Sequence, residues 1–191
     1  NRSLVITIIW QVIFFGFQHI VLSYFMLFVI EELGLSPIMA GGMLAIAQVS
    51  SIIARVLWGA ASDFVFKGRR IVVLAITGFL TVLWMLGASL MGEGVQSVVV
   101  YLIAIVIGIS TLSFHGVVIT HIGEQAEAGQ VGTTAGVASM MCNLGNVVIT
   151  PLFGYLVDIS GSYSLAWRAA AVVAFASTLG LLGFGRERQR R

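Results

Sequence analysis

Charge is what this chain has least of. Only 9% of its 191 residues are Asp, Glu, Lys or Arg, where soluble domains carry about 25%. A soluble globule of this size could not hide the accompanying 59% of hydrophobic residues, so the solvent is lipid. Cys142 is the one cysteine, which excludes an intrachain disulfide and leaves the redox compartment unreadable. Outside two short clusters there is no basic face and no aromatic–basic stripe, which argues against nucleic acid as a partner. No G-x-S-x-G, H-E-x-x-H or P-loop pattern occurs, and the three histidines share no helix face with acids at metal-ligand spacing, so neither cofactor nor metal is implied. No carboxylate lies inside any long apolar run. The first of these runs is far longer than a signal-peptide core of about 7–15 residues. The chain opens on Asn1 rather than Met, and it reads as a fragment or as one half of something longer. The Asn1-Arg2-Ser3 glycosylation pattern, at a membrane boundary, reads as chance.

What is present is a series of apolar runs of membrane-crossing length, about 20 residues. Charge, glycine and proline divide the chain into six: 4–30, 37–62, 71–92, 97–122, 131–157 and 166–185. The runs are too long for strands and lack period-two alternation, so the expected fold is all-α. Short connections make consecutive helices antiparallel neighbours. Orientation follows from Lys and Arg. With the N-terminus inside, Arg2, Lys67, Arg69, Arg70, Arg186, Arg188, Arg190 and Arg191 lie on the inner side, against Arg168 alone outside. Both termini are therefore expected to be cytoplasmic, in a bacterial inner or plasma membrane. The inner loop 123–130 is the weak one, with Glu124 and Glu127 and no base.

Sliding the chain by 95 residues superposes Glu32 on Glu127, Gly34 on Gly129, Ala40-Gly41 on Ala135-Gly136, Leu57 on Leu152, and Gly59 and Asp63 on Gly154 and Asp158. Spans 1–3 (about 1–95) thus echo spans 4–6 (about 96–191). Three is odd, so the second copy is inverted, a recurring plan in secondary transporters. One six-helix domain covering 1–191 is expected.

Polar groups inside a bilayer face a bundle interior or a water-filled cavity. Plotted at about 100° per residue, Gly132, Gly136, Ser139, Asn143, Asn146 and Thr150 form one stripe on span 5. Gly41, Ala45, Gln48, Arg55 and Gly59 form the matching stripe on span 2. Helix packing accounts for the Gly and Ser positions as well as a substrate role does; Gln48 and Asn143, near the midplane, are assigned to a cavity. Span 1 carries Gln11, Phe14 and Gln18 on one side, an amide–aromatic mixture typical of binding sites, with an interhelical hydrogen bond as the equal alternative for Gln18. His19 is a packing residue. On span 4, Thr111 and His115 share a face; His115 is a substrate or proton ligand or a histidine bonded to its neighbour. His121 is expected to be exposed at the inner end. Arg55 lies about 10 Å deep, where Arg costs about 2.5–3.5 kcal/mol. It needs a partner from another helix or an anionic substrate, and an ion pair is favoured. Spans 3 and 6 lack such stripes and are assigned to the lipid-facing periphery.

The hinge Leu57-Trp-Gly-Ala-Ala-Ser-Asp-Phe-Val-Phe-Lys-Gly-Arg-Arg70 joins spans 2 and 3. Gly59 and Asp63, then Gly68, Arg69 and Arg70, resemble the G-x-x-x-D-[RK]-x-G-[RK]-[RK] loop of the major facilitator superfamily. Phe64 stands where a base is expected, and two extra residues precede Gly68, as in the looser copy of the C-terminal half. Thr150-Pro151 to Gly154 and Asp158, then Gly161, Tyr163 and Trp167, look like that family's penultimate-to-last helix junction. The resemblance implies helices seven to twelve of a twelve-helix transporter, partnered by an N-terminal six-helix half, the bilayer and a small-molecule substrate. It implies alternating access, with spans 1 and 4 lining the cavity and spans 2 and 5 at the gates. Gly59, Asp63, Arg69, Arg70, Gly154 and Asp158, with Arg55, become gating candidates. Asp63, at a helix C-terminus that disfavours it, should seek a helix N-terminus or a base in the other half. Arg55 and His115 favour a small organic anion. The alternatives are a six-helix pore or scaffold, an intramembrane enzyme, and a half-size transporter that dimerises.

Overall fold

The computed structural model describes residues 2–127 and 129–185. Asn1 and the basic tail with Arg186, Arg188, Arg190 and Arg191 lie outside them. The elements are α1 (Arg2–Glu31), α2 (Pro37–Ala60), α3 (Arg70–Ala88), α4 (Ser97–Ile109), α5 (His115–Gln125), α6 (Val131–Ser160) and α7 (Tyr163–Phe184). A π-helical turn, Ala61–Val65, extends α2. Five helical segments are long and apolar enough to cross a membrane: α1, α2 with its π turn, α3, α6 and α7. The remaining span consists of α4 and α5, separated by the non-α stretch 110–114. All six expected spans are present, and the fourth, expected as one run, is broken.

Local chemistry sets the ends. The Ser36 side chain accepts from the Met39 amide at 3.3 Å, with Pro37 next to it at the helix start, where a missing N–H costs nothing. Gly161 closes α6 at φ 65°, the left-handed conformation that glycine adopts freely. Ser162 then caps α7, which therefore begins at Tyr163, three residues before the expected 166.

Helix pairing follows the inverted repeat. Span 1 (α1) packs on span 5 (α6), span 2 (α2) on span 4 (α4), and span 3 (α3) on span 6 (α7). Exchanging the two repeats converts the first pair into the second and returns the third to itself. The tightest crossings also correspond. A Cβ on Gly145 would fall 2.2 Å from the Val12 carbonyl, and one on Gly108 would fall 2.3 Å from the Ala47 carbonyl and 2.6 Å from the Ser50 Cβ. Under the 95-residue shift Gly145 becomes Ser50 and Gly108 becomes Ile13, so the two crossings coincide within one residue. Two apolar grooves match as well: Ala54, Leu57, Trp58 and Ala61 line one, and Ile149, Leu152, Phe153 and Leu156, each 95 residues later, line the other.

An aromatic core holds the spans together. Trp10 stacks on Phe14 at 3.9 Å and meets Phe114 edge-on at 5.4 Å, and Trp167 contacts Phe28, Trp84 and Phe153. Span 3 is the most enclosed of the long helices within this chain. Its most apolar stretch is 61% buried, against 28% for α2 and 22% for α6. The reason is chemical: Thr77, Thr81 and Trp84 turn inward, and their polar atoms bond Leu74 and span 4. The large open apolar faces belong instead to spans 2 and 5, with Ile52, Val56, Val147 and Val148 exposed.

Candidate functional site

The break in span 4 organises the middle of the bundle. Carbonyls in a non-helical stretch must find donors where water is scarce. Here α2 supplies them. Trp58 Nε1 donates to the Ile109 carbonyl at 2.7 Å, and Arg55 donates through Nε and Nη2 to the Leu112 carbonyl at 3.4 and 3.1 Å. The partner of Arg55 is thus a backbone carbonyl of another helix, in place of the carboxylate expected for an ion pair. The remainder of the Arg55 side chain is exposed. On the opposite side of the break, Thr111 Oγ1 accepts from Trp84 Nε1 at 2.8 Å and shares a hydrogen bond with Thr81 Oγ1 at 3.0 Å. Thr111 is fully buried, its hydroxyl committed to span 3.

His115 opens α5 directly after the break. Its ring lies 5.5 Å from Phe15 and 5.4 Å from Phe114, within electrostatic range of Arg55. Phe15 is one turn from both Gln11 and Gln18 on α1. The structure therefore brings Gln18, Phe15, His115 and Arg55 to one region. Buried polar atoms there lack partners among the described residues: both amide atoms of Gln11, Gln18 Oε1 and His115 Nδ1. An unmet buried hydrogen bond costs about 1–3 kcal/mol, so these atoms are groups that a water or a solute would satisfy. Gln11 is fully enclosed, whereas Gln18 and His115 are half-buried. His19 bonds the Phe15 carbonyl at 3.0 Å, in keeping with a packing role. Gln48 and Asn143 are exposed on α2 and α6. Asn143 donates to the Ser139 carbonyl at 3.1 Å, and Asn146 accepts from Thr150 at 2.9 Å. Gln48 and Asn143 stand on the faces of spans 2 and 5 that are open in this chain, and Asn146 is half-buried.

At the end of the bundle holding the hinge, Arg70 is the hub. Its side chain is 6% exposed. Nε and Nη2 form a two-point fork on Glu124 at 2.8 and 2.9 Å, Nη1 donates to Ser62 Oγ at 3.2 Å, and Nη2 reaches Asp63 at 3.1 Å. Asp63 therefore finds its base inside this chain, at the first residue of α3. The network joins spans 2, 3 and 4. It also accounts for the acidic residues near the 123–130 connection: Glu124, at the end of α5, is the counter-ion of Arg70. His121, one turn before Glu124, is buried at 1% exposure instead of exposed as expected, because α5 packs against its neighbours. Arg69 is exposed. Gly59 has open space where a Cβ would stand, so it makes no close helix approach within this chain.

The opposite end carries a counterpart. Glu32 accepts from Ser162 Oγ at 2.8 Å and from the Tyr163 amide at 3.3 Å, and Glu31 accepts from the Tyr163 hydroxyl at 2.6 Å. These carboxylates at the end of span 1 meet the N-terminus of span 6, a favourable place for negative charge. Exchange of the repeats turns this contact into that between the end of span 4 and the start of span 3, where Glu124 meets Arg70. Gly154 is buried against the Tyr24 hydroxyl, and Asp158 is exposed beyond it.

Comparison with known proteins fits this architecture. The chain is 24% identical over 156 residues to monocarboxylate transporter 13 of Rattus norvegicus, an alignment covering 78% of this chain and 34% of that protein. The structure is similar to the crystal structure of the E. coli fucose:proton symporter FucP, with a TM-score of 0.77 and 19% identity over 97% of this chain and 43% of that one. The chain thus spans less than half the length of either. The family model for the Major Facilitator Superfamily matches residues 4–191. That family comprises transporters, which sets aside the intramembrane-enzyme alternative. This chain, a multi-pass membrane protein of two inverted three-helix repeats, belongs to the major facilitator superfamily.

Proposed function

We propose that the chain is the C-terminal six-helix half of a secondary transporter that moves a small organic anion by alternating access, with both termini cytoplasmic. The observation that carries the substrate reading is the cluster at the span-4 break. Gln18 and His115 hold unmet hydrogen-bonding atoms beside Phe15, and Arg55 presents the only cation of the described span interiors next to them. One amide and one imidazole fix orientation, an aromatic ring supplies shape, and a guanidinium matches a carboxylate or phosphate. The similarity to a protein named as a monocarboxylate transporter points the same way. Within this reading, substrate contacts come from Gln18, His115, Arg55, Gln48, Asn143 and Asn146, with Gln11 behind them. Thr111 serves the architecture.

The gating residues take a revised role in the same proposal. Arg70 with Asp63, Ser62 and Glu124 fastens the inner ends of spans 2, 3 and 4 into one body, and Glu31 and Glu32 fasten spans 1 and 6 outside. Each half can then rock as a unit. Arg69, Gly59 and Asp158 are left to contact the other half, whereas Gly154 packs on Tyr24 of span 1. The test is uptake by the full-length protein in proteoliposomes, screening carboxylates and sugar phosphates against neutral and cationic solutes. Accumulation of an anion, lost in Arg55→Ala and partly kept in Arg55→Lys, is expected. Transport of neutral or cationic compounds alone would overturn the anion reading, and full activity in both variants would remove Arg55 from it.

A further inference from the structure

The side of α1 that meets His115 through Phe15 stays polar down to the end of the bundle that holds the hinge. Gln18, Gln11, Thr7 and Ser3 follow one another along it, and the last three are buried. Thr7 Oγ1 donates to the Ser3 carbonyl at 3.0 Å, which leaves its oxygen free to accept. Gln11 is fully enclosed, yet neither of its amide atoms has a partner among the described residues. Packing alone would favour apolar side chains here, since a buried polar group without a partner costs about 1–3 kcal/mol. Steps of four residues rise about 6 Å, a gap that one water bridges with two hydrogen bonds of about 2.8 Å.

His115 stands at the midplane end of this stripe, with Nδ1 buried and unpartnered among the described residues. Few charged or titratable groups surround α5. From α2 comes Arg55, whose guanidinium sits on the Leu112 carbonyl, three residues before His115. From α1 comes His19, tied to the Phe15 carbonyl. Between Val131 and Val148, α6 has only Cys142. Arg70 of α3 lies at the hinge end, committed to Glu124 and Asp63, and His121 and Glu124 of α5 itself lie there too. Every carboxylate of the described residues is at a span end, so none takes a proton beside Arg55. An imidazolium next to a guanidinium is a pair of like charges in a poorly screened interior. A monovalent anion on Arg55 cancels that repulsion, so anion and proton favour each other's binding. The site then carries one net positive charge both empty and loaded.

We propose that His115 takes up one proton with each anion bound at Arg55, and that water held by Gln11 passes this proton along Thr7 and Ser3 to the hinge end of the bundle. The proton adds to a ring nitrogen lone pair when the anion binds and returns to water when it leaves. Gln11 and Thr7 only relay it. The inference rests on the anion reading of the same site.

Isothermal titration of the purified full-length protein with acetate, pyruvate and benzoate, in buffers of different ionisation enthalpy, counts the protons taken up per anion. Wild type should take up about one, and its Kd should rise about fivefold or more from about pH 6 to about pH 8, a range in which a carboxylate stays ionised. His115→Gln should bind more weakly, with no proton uptake and a flat pH profile; His115→Asn is the second variant should it fail to fold. In proteoliposomes, Gln11→Met should slow uptake driven by a pH gradient about tenfold and keep the proton count, and Gln11→Glu should restore the rate. Anion binding by wild type without proton uptake would overturn the proposal and leave the anion reading standing. So would an undiminished proton count in the His115 variants, or undiminished gradient-driven uptake in Gln11→Met. Failure of all three carboxylates to bind would overturn both readings.

Discussion

Glu124→Ala should destabilise this protein more than Asp63→Ala does, although Asp63 belongs to the hinge motif and Glu124, in the last turn of α5, belongs to no motif. The order follows from burial and geometry. Arg70, 6% exposed, holds Glu124 through two hydrogen bonds of 2.8 and 2.9 Å, and Glu124 is itself only 29% exposed. Asp63 is 53% exposed and makes one contact at 3.1 Å. Removing one partner of a fully buried pair costs about 3–5 kcal/mol. Arg70 would keep Ser62 and Asp63, so the expected cost of Glu124→Ala is about 2 kcal/mol. Exposed pairs contribute about 0–1 kcal/mol, which bounds Asp63→Ala. At about 2–4 °C per kcal/mol for a chain of this size, the Tm should fall about 4–8 °C in the first variant and at most about 4 °C in the second. The double variant Arg70→Met with Glu124→Leu should recover most of the loss, since an apolar replacement strands no charge. Thermal unfolding of the detergent-purified full-length protein measures all three. A Tm loss for Asp63→Ala equal to or larger than that for Glu124→Ala would refute the assignment of Glu124 as the main counter-ion.

Thr111→Val should cost about 1–3 kcal/mol, read as a lower Tm, because it strands Trp84 Nε1, while Thr81 keeps its bond to the Thr77 carbonyl; its KM should stay at the wild-type value, whereas Gln18→Leu should raise KM with little change in Tm. Gly145→Ala drives a Cβ to 2.2 Å from the Val12 carbonyl and should lower stability by about 1–3 kcal/mol, while Gly59→Ala, in open space, should stay within about 0.5 kcal/mol. Parallel Tm measurements on the two glycine variants check the contrast.

The spans and their inverted repeat were legible because both rest on local composition: apolar runs long enough for a bilayer, and a 95-residue offset that pairs Gly59 and Asp63 with Gly154 and Asp158. The break in span 4 was hidden. Neither proline lies near it, and Pro151 sits inside the continuous α6. What stabilises residues 110–114 comes from Arg55, Trp58 and Trp84, tens of residues away. Helical phase on an unbroken span placed Thr111 and His115 on one face; the break turns Thr111 toward span 3. The depth of Arg55 in span 2 calls for a partner from another helix or an anionic substrate, but a carbonyl freed by a helix break leaves no sequence signature. The Arg70–Glu124 pair did leave one, the absence of Lys and Arg from loop 123–130, which has meaning only once α5 is seen beside α3.

The placement of the solute cavity is the claim on which the functional account turns, and solute protection of single cysteines tests it most directly. Cys142 is the one cysteine of this chain, so a full-length background in which it and every cysteine of the other half are replaced by Ser can carry single reporters. In that background, Gln18→Cys and Gln48→Cys should react with a small membrane-impermeant maleimide, and a transported carboxylate should slow the reaction at Gln18→Cys. Thr111→Cys, fully buried against span 3, should stay unreactive with or without solute. Solute protection at Thr111→Cys together with none at Gln18→Cys would contradict the account.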